Sequence, residues 1–131
     1  GYLSDGAIDD VPDERLLDTR TSAKPANWSQ TVVTGRPNRS AIISLVATQT
    51  SLATYLQVLP CGAEPGATSN LNADRSGQTI AGLAVVRFDA NGEVCVFVQH
   101  ATHVVVDLQA YLSDAAFEDI TDLRILDTRT R

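Results

Sequence analysis

The sequence predicts an all-β fold, an antiparallel β-sandwich of about seven strands, with a small β-barrel as the alternative. Three observations predict it. Helical periodicity is nearly absent from the 131 residues, whereas β-branched runs of strand length recur throughout. Turn residues separate those runs at short, regular intervals. Apolar residues make up 44 % of the chain, enough for a real core in one domain of ordinary size.

The strands are expected near 15–19, 30–34, 40–48, 53–59, 79–88, 93–99 and 103–112. The first carries the apolar pair Leu16-Leu17 between charged residues. The second, ending in Thr31-Val32-Val33-Thr34, stops at the turn Gly35-Arg36-Pro37-Asn38. The third is the apolar run around Ile42-Ile43 and Leu45-Val46. The fourth ends where Cys61-Gly62 to Pro65-Gly66 open a long polar loop over 60–78. The fifth and sixth form the clearest hairpin, AVVRF-DANG-EVCVF, in which Asn91-Gly92 supplies the positive-φ positions of a tight turn. The seventh is the run His103 to Leu112, interrupted by Asp107. Expected core positions are Leu17, Val33, Ile43, Leu45, Leu56, Val58, Leu83, Val85, Val94, Val96, Val104 and Val106.

Charge excludes some functions. Ten basic and sixteen acidic side chains leave a net charge of −6, the wrong sign for a nucleic-acid partner. No apolar run has the roughly 18–20 residues that a membrane helix needs, so no membrane insertion is expected. Met is absent, and one Lys stands against nine Arg. These features suggest a piece of a longer or processed chain from a GC-rich bacterial genome. A salt-tolerant acidic surface is a second explanation of the Arg bias.

The two ends repeat each other. GYLSDGAIDDVPDERLLDTRTS at the start and AYLSDAAFEDITDLRILDTRTR at the end align without a gap at an offset of 109, identical at 13 of 22 positions. The expected organisation is one period of a tandem array plus the opening of the next. Residues 1–14 read as an acidic inter-repeat linker, 15–113 as the repeat domain, and 114–131 as linker plus the first strand motif of the next repeat. That last motif, Arg124, Ile125, Leu126, Asp127 and Arg129, is expected to contact a neighbouring copy. Neighbouring copies of the repeat are therefore the expected partners.

Cys61 and Cys95 form an even pair at strand positions. In an exported β-domain they read as a disulfide, and two buried free thiols are the alternative. Arg15, Asp18, Arg20 and Asp107 are expected to form an Arg–carboxylate network holding the first strand to the last, with Arg15 or Arg20 on Asp107. Asp18 and Arg20 are expected to share a strand face.

The stretches Arg15-Leu16-Leu17-Asp18-Thr19-Arg20, Leu59-Pro60-Cys61-Gly62, Ser69-Asn70-Leu71-Asn72, Gly77-Gln78-Thr79, Val94-Cys95-Val96 and Ala101 to Asp107 appear in order along the chain. In these stretches the sequence resembles the secreted actinobacterial repeat modules that carry an R-[IL]-L-D-T-R signature. The resemblance implies an extracellular module, found in tandem or attached to secreted hydrolases. The acidic segment before each signature departs from the Pro-Ala type of entry usual in that family.

No motif of enzyme chemistry is present: no G-x-S-x-G, H-E-x-x-H, P-loop or CxxC. His100 and His103 read as surface or turn residues. No catalytic residue, metal site or cofactor is expected. Trp28, the only Trp, is the candidate ligand contact, either stacking on a sugar ring or packing over the end of the sandwich. The expected function is a non-enzymatic structural repeat of a secreted or cell-surface protein, serving as a stalk, adhesion or self-assembly module. The alternative is a carbohydrate- or cell-wall-binding module using Trp28 and the loop 62–78.

Overall fold

A computed structural model describes residues 8–66 and 69–112. Its strands in chain order are β1 (Ile8–Asp18), β2 (Ser29–Thr34), β3 (Ser40–Thr48), β4 (Thr54–Leu59), β5 (Leu71–Ala73), β6 (Ile80–Arg87), β7 (Glu93–Val98) and β8 (His103–Leu112). A single 3-10 turn, Thr19–Thr21, follows β1. The strands form two four-stranded antiparallel sheets, ordered β1-β8-β3-β6 and β2-β7-β4-β5. Neither sheet closes on itself, so the fold is the predicted sandwich and not a barrel.

Among the described strands, only β4 and β5 are neighbours both in sequence and in a sheet. The other connections cross between sheets and tie the layers together. The core lies between the layers. Ile43 and Leu45 of β3, Val104 and Val106 of β8, Leu56 of β4, and Val94, Val96 and Val98 of β7 are all buried there. Period-two alternation places them on the inner faces. Phe88 and Tyr111 fill one end, with ring centroids 6.4 Å apart.

Several expectations are corrected. The expected hairpin does not exist, because β6 and β7 belong to different sheets. The turn itself does form. Gly92 takes φ 77° and donates its N–H to Asp89, but Asn91 is not in the positive-φ region. Leu83 is 39 % exposed and Val85 is only half-buried, whereas Ala84, Val86 and Phe88 turn inward. Both faces of β6 are apolar, so alternation alone could not choose between them. The loop 60–78 is interrupted by β5, whose three residues pair with Thr54 to Leu56.

β1 begins at Ile8, well inside the stretch 1–14 expected as linker. The pairing with β8 breaks register between Asp10 and Glu14, around Pro12. A Pro is tolerated there because β1 is an edge strand and the ladder is already interrupted. The expected contact residues Arg124, Ile125, Leu126, Asp127 and Arg129 lie outside the described residues, as does all of 114–131.

Candidate functional site

Two surfaces carry the residues singled out above. The first is the seam between β1 and β8. Strict alternation would put Arg15 and Asp18 on opposite faces. The register with β8 shifts between Arg15, opposite Asp107, and Leu17, opposite Val106. Leu16 is the extra residue, a β-bulge. The bulge returns Asp18 to the face of Arg15 while Leu16 and Leu17 both pack against the core.

On that face the charges form one chain. Arg15 Nε donates to Asp107 Oδ1 at 2.7 Å, and Arg15 Nη2 donates to Asp107 Oδ2 at 3.3 Å. Arg15 Nη1 donates to Asp18 Oδ2 at 2.9 Å. Arg20 donates to the same carboxylate through Nε, at 2.9 Å, and Nη2, at 2.8 Å. The expected network therefore forms, with Arg15 as the partner of Asp107. Arg20 reaches Asp18 only, and it lies in the 3-10 turn, not on the strand. Asp18 also caps that turn by accepting the Arg20 amide at 3.0 Å.

The electrostatics follow from the geometry. The Arg20 side-chain hydrogen bonds, joined by the Arg20 amide and Arg15, hold the Asp18 carboxyl well below the usual carboxylate range. The Asp107 hydrogen bonds, then those of Asp18, raise the Arg15 pKa, and Asp18 raises that of Arg20. A surface depression of about 640 Å³ opens beside the network, lined by Arg15, Leu16, Leu17, Asp18, Thr21, Asp107 and Gln109.

One member of the seam has no counterpart in the sequence reading. Thr19 is only 3 % exposed. Its hydroxyl oxygen accepts the Val104 N–H at 2.8 Å and lies 2.9 Å from His103 Nδ1. With that nitrogen unprotonated, the hydroxyl is the donor to the ring. His103 is thus part of the seam. His100, by contrast, donates from Nδ1 to the Ala53 carbonyl at 2.8 Å. The sequence carries no signal for Thr19, which opens the 3-10 turn directly after β1 and is buried there.

The second surface is the outer face of the other sheet. Cys61 and Cys95 form the predicted disulfide, with their Cα atoms 4.9 Å apart. It pins the loop after β4 onto the sheet. The Gln30 amide clasps that loop, donating to the Ala63 carbonyl at 2.8 Å and accepting the Gly62 N–H at 3.1 Å. Under the loop Leu59, Cys95 and Phe97 form a small second core. Trp28 stands edge-on to Phe97 at 4.8 Å, with Tyr55 on Phe97 at 5.7 Å. Trp28 is still 63 % exposed, and its backbone takes the left-handed φ of 57°. It both packs and presents a free ring face.

Among the described residues, no group of three His, Cys, Asp or Glu side chains is placed to hold a metal ion. No helix among them is long and apolar enough to cross a membrane. No known protein-family model matches the chain, and no curated protein matches its sequence.

Proposed function

We propose that the chain is a non-enzymatic structural repeat of a secreted or cell-surface bacterial protein, working as a stalk, adhesion or self-assembly module. One observation carries the reading. The sequence around the segment that completes a sheet and locks onto Asp107 through Arg15 recurs 109 residues later, identical at 13 of 22 positions and including Arg15, Leu17, Asp18, Thr19 and Arg20. A motif that builds one unit is therefore written again where a next unit would begin. The disulfide supports an oxidising compartment. The resemblance to secreted actinobacterial repeat modules points the same way. Neighbouring copies of the repeat are the partners of this reading.

A chain of two full periods tests it. Small-angle scattering is expected to show an elongated pair of beads, with no free thiol after export through an oxidising compartment. Turnover of glycan or peptide substrates by a single period would overturn the non-enzymatic reading.

Trp28 favours a second reading, a carbohydrate- or cell-wall-binding module. An exposed indole packed edge-on against Phe97 offers an aromatic surface to a sugar ring. A glycan array with the wild type and Trp28→Ala separates the two. Specific binding that the substitution abolishes selects the second reading, and no binding by either protein selects the first.

A further inference from the structure

We propose that Asn91 is a self-modification site: its side-chain amide deamidates through the Gly92 nitrogen, and the turn 89–93 gates the reaction by holding that nitrogen. The proposal rests on the geometry of this turn, and not on the extracellular or non-enzymatic reading.

Among the Asn residues of the chain, Asn91 alone is followed by Gly. A Gly nitrogen has no neighbouring Cβ to obstruct its approach to the Asn side chain. The step is an intramolecular substitution. The Gly92 nitrogen bonds to Asn91 Cγ and the Cγ–Nδ2 bond breaks. Nδ2 leaves as ammonia, with the proton that the Gly92 nitrogen gives up. A cyclic imide remains, and water opens it at either carbonyl. Opening at Cγ leaves aspartate. Opening at the main-chain carbonyl leaves isoaspartate, whose backbone runs through Cβ and Cγ of residue 91. Water is the one reactant supplied from outside.

The amide that reacts is open to water, because Asn91 is exposed. The nucleophile is not free. Gly92 is buried, its N–H donates to the Asp89 carbonyl at 2.9 Å, and its carbonyl accepts the Gly35 N–H at 2.7 Å. Asp89 Oδ1 accepts the N–H of Asn91 at 2.8 Å and that of Glu93 at 2.9 Å. One carboxylate oxygen thus fixes the residues on both sides of Gly92. The Asp89 N–H closes the turn on the Glu93 carbonyl at 3.1 Å. An imide nitrogen carries no proton, so the ring forms only when the Gly92–Asp89 hydrogen bond is given up. The reaction therefore waits for a local opening of the turn, which requires less than global unfolding. The isoaspartyl product then resists closing. It lengthens the main chain by one carbon beside Gly92, where even a Cβ on Gly92 would stand 2.6 Å from the Gly35 carbonyl oxygen. The turn keeps a chemical record of the time it has spent open.

Peptide mapping of the full chain, incubated at neutral pH with and without guanidinium chloride, tests the proposal. The readouts are the mass gain of amide-to-acid conversion at residue 91 and the isoaspartate fraction. Conversion in the folded chain is expected to be slower than in denaturant by about tenfold or more, the effect of a turn held by hydrogen bonds that must open first. Asp89→Ala removes the carboxylate and leaves the main-chain carbonyl, and it is expected to speed conversion of the folded chain. Asp89→Asn keeps an oxygen at the Oδ1 position and is expected to restore most of the slow rate. No conversion in denaturant would overturn the site. Equal rates in the folded and denatured wild type would overturn the gate, a comparison that needs no variant to fold. A folded Asp89→Ala that converts as slowly as the wild type would overturn the part given to Asp89. The isoaspartyl chain, separated by chromatography, is expected to melt lower than the Asn91→Asp variant. Equal midpoints would show that the turn closes again, and would overturn the record.

Discussion

Arg15 grips Asp107 at two points across 92 residues of chain, Nε on Oδ1 at 2.7 Å and Nη2 on Oδ2 at 3.3 Å. The two residues are also direct cross-strand partners, so side chains and backbone specify the same register. The guanidinium has a third arm on Asp18. A planar fork with five donors holds one carboxylate at two points while a further N–H reaches a second, a fixed geometry that a compact ammonium does not offer.

Arg15→Ala and Asp107→Ala remove the same cross-strand contact from opposite sides. Each is expected to lower the melting midpoint, and the double variant Arg15→Ala/Asp107→Ala should lose less than the sum of the two. Strictly additive losses would show that the two side chains are not coupled. Equal midpoints for wild type and Asp107→Ala would show that the pair carries no stability.

Asp18 sets the response to acid. Its folded pKa is depressed by Arg20 and Arg15. A depressed carboxylate stabilises the fold above its unfolded pKa, roughly 3.9, and loses that contribution as pH falls toward the folded value. Thermal melts are expected to show a decline beginning below about pH 4. The variant Asp18→Asn should melt lower at neutral pH and show a flatter acid limb. An acid limb as steep as that of the wild type would assign the decline to other carboxylates.

The fold was legible where β-branched runs met turn residues, as in β3 and β8, because both faces of those strands are specified by packing. β5 was hidden by its length: Leu71–Ala73 is three residues in a polar stretch, and pairing with β4 makes it a strand. The first half of β1 was hidden by its acidic composition and Pro12, which read as linker. An edge position beside β8 tolerates both. The Asn91-Gly92 turn was legible as a turn but not as a crossing, since a turn sequence carries no information about which sheet follows. At the seam, the participants Arg15, Asp18, Arg20 and Asp107 were legible from their charge. Their pairing was not, because the bulge at Leu16 shifts the faces by one residue, and a bulge leaves no mark in a run such as Arg15-Leu16-Leu17-Asp18.

The disulfide closes a separation of 34 residues. The chain-entropy model gives roughly 3–4 kcal/mol for a loop of that size. Cys61→Ala/Cys95→Ala is expected to lower the melting midpoint on the order of 10–20 °C. Calorimetry of the oxidised wild type and the variant measures the difference. A midpoint unchanged within error would mean that Gln30 and the buried Leu59 and Phe97 hold the loop without the covalent bond.

Among the described glycines, Gly35 and Gly92 leave the least room for a Cβ. The Gly35 N–H donates to the Gly92 carbonyl at 2.7 Å. A Cβ on Gly35 would stand 2.5 Å from the Phe88 ring, which is fully buried. A Cβ on Gly92 would stand 2.6 Å from the Gly35 carbonyl oxygen, at a φ of 77° that L residues rarely adopt. The two obstacles differ in kind. The Phe88 ring can shift by repacking against Tyr111, whereas the Gly35 backbone is tied into the turn. Gly35→Ala is therefore expected to cost about 1–3 kcal/mol, the range for overpacking. Gly92→Ala, which meets backbone and also strains φ, is expected to cost at least as much. Phe88→Leu should partly rescue Gly35→Ala by clearing the ring and should do nothing for Gly92→Ala. Denaturant unfolding of Gly35→Ala, Gly92→Ala, Phe88→Leu and the two double variants measures both cycles, and equal rescue of both glycine substitutions would show that the ring is not the obstacle at Gly35.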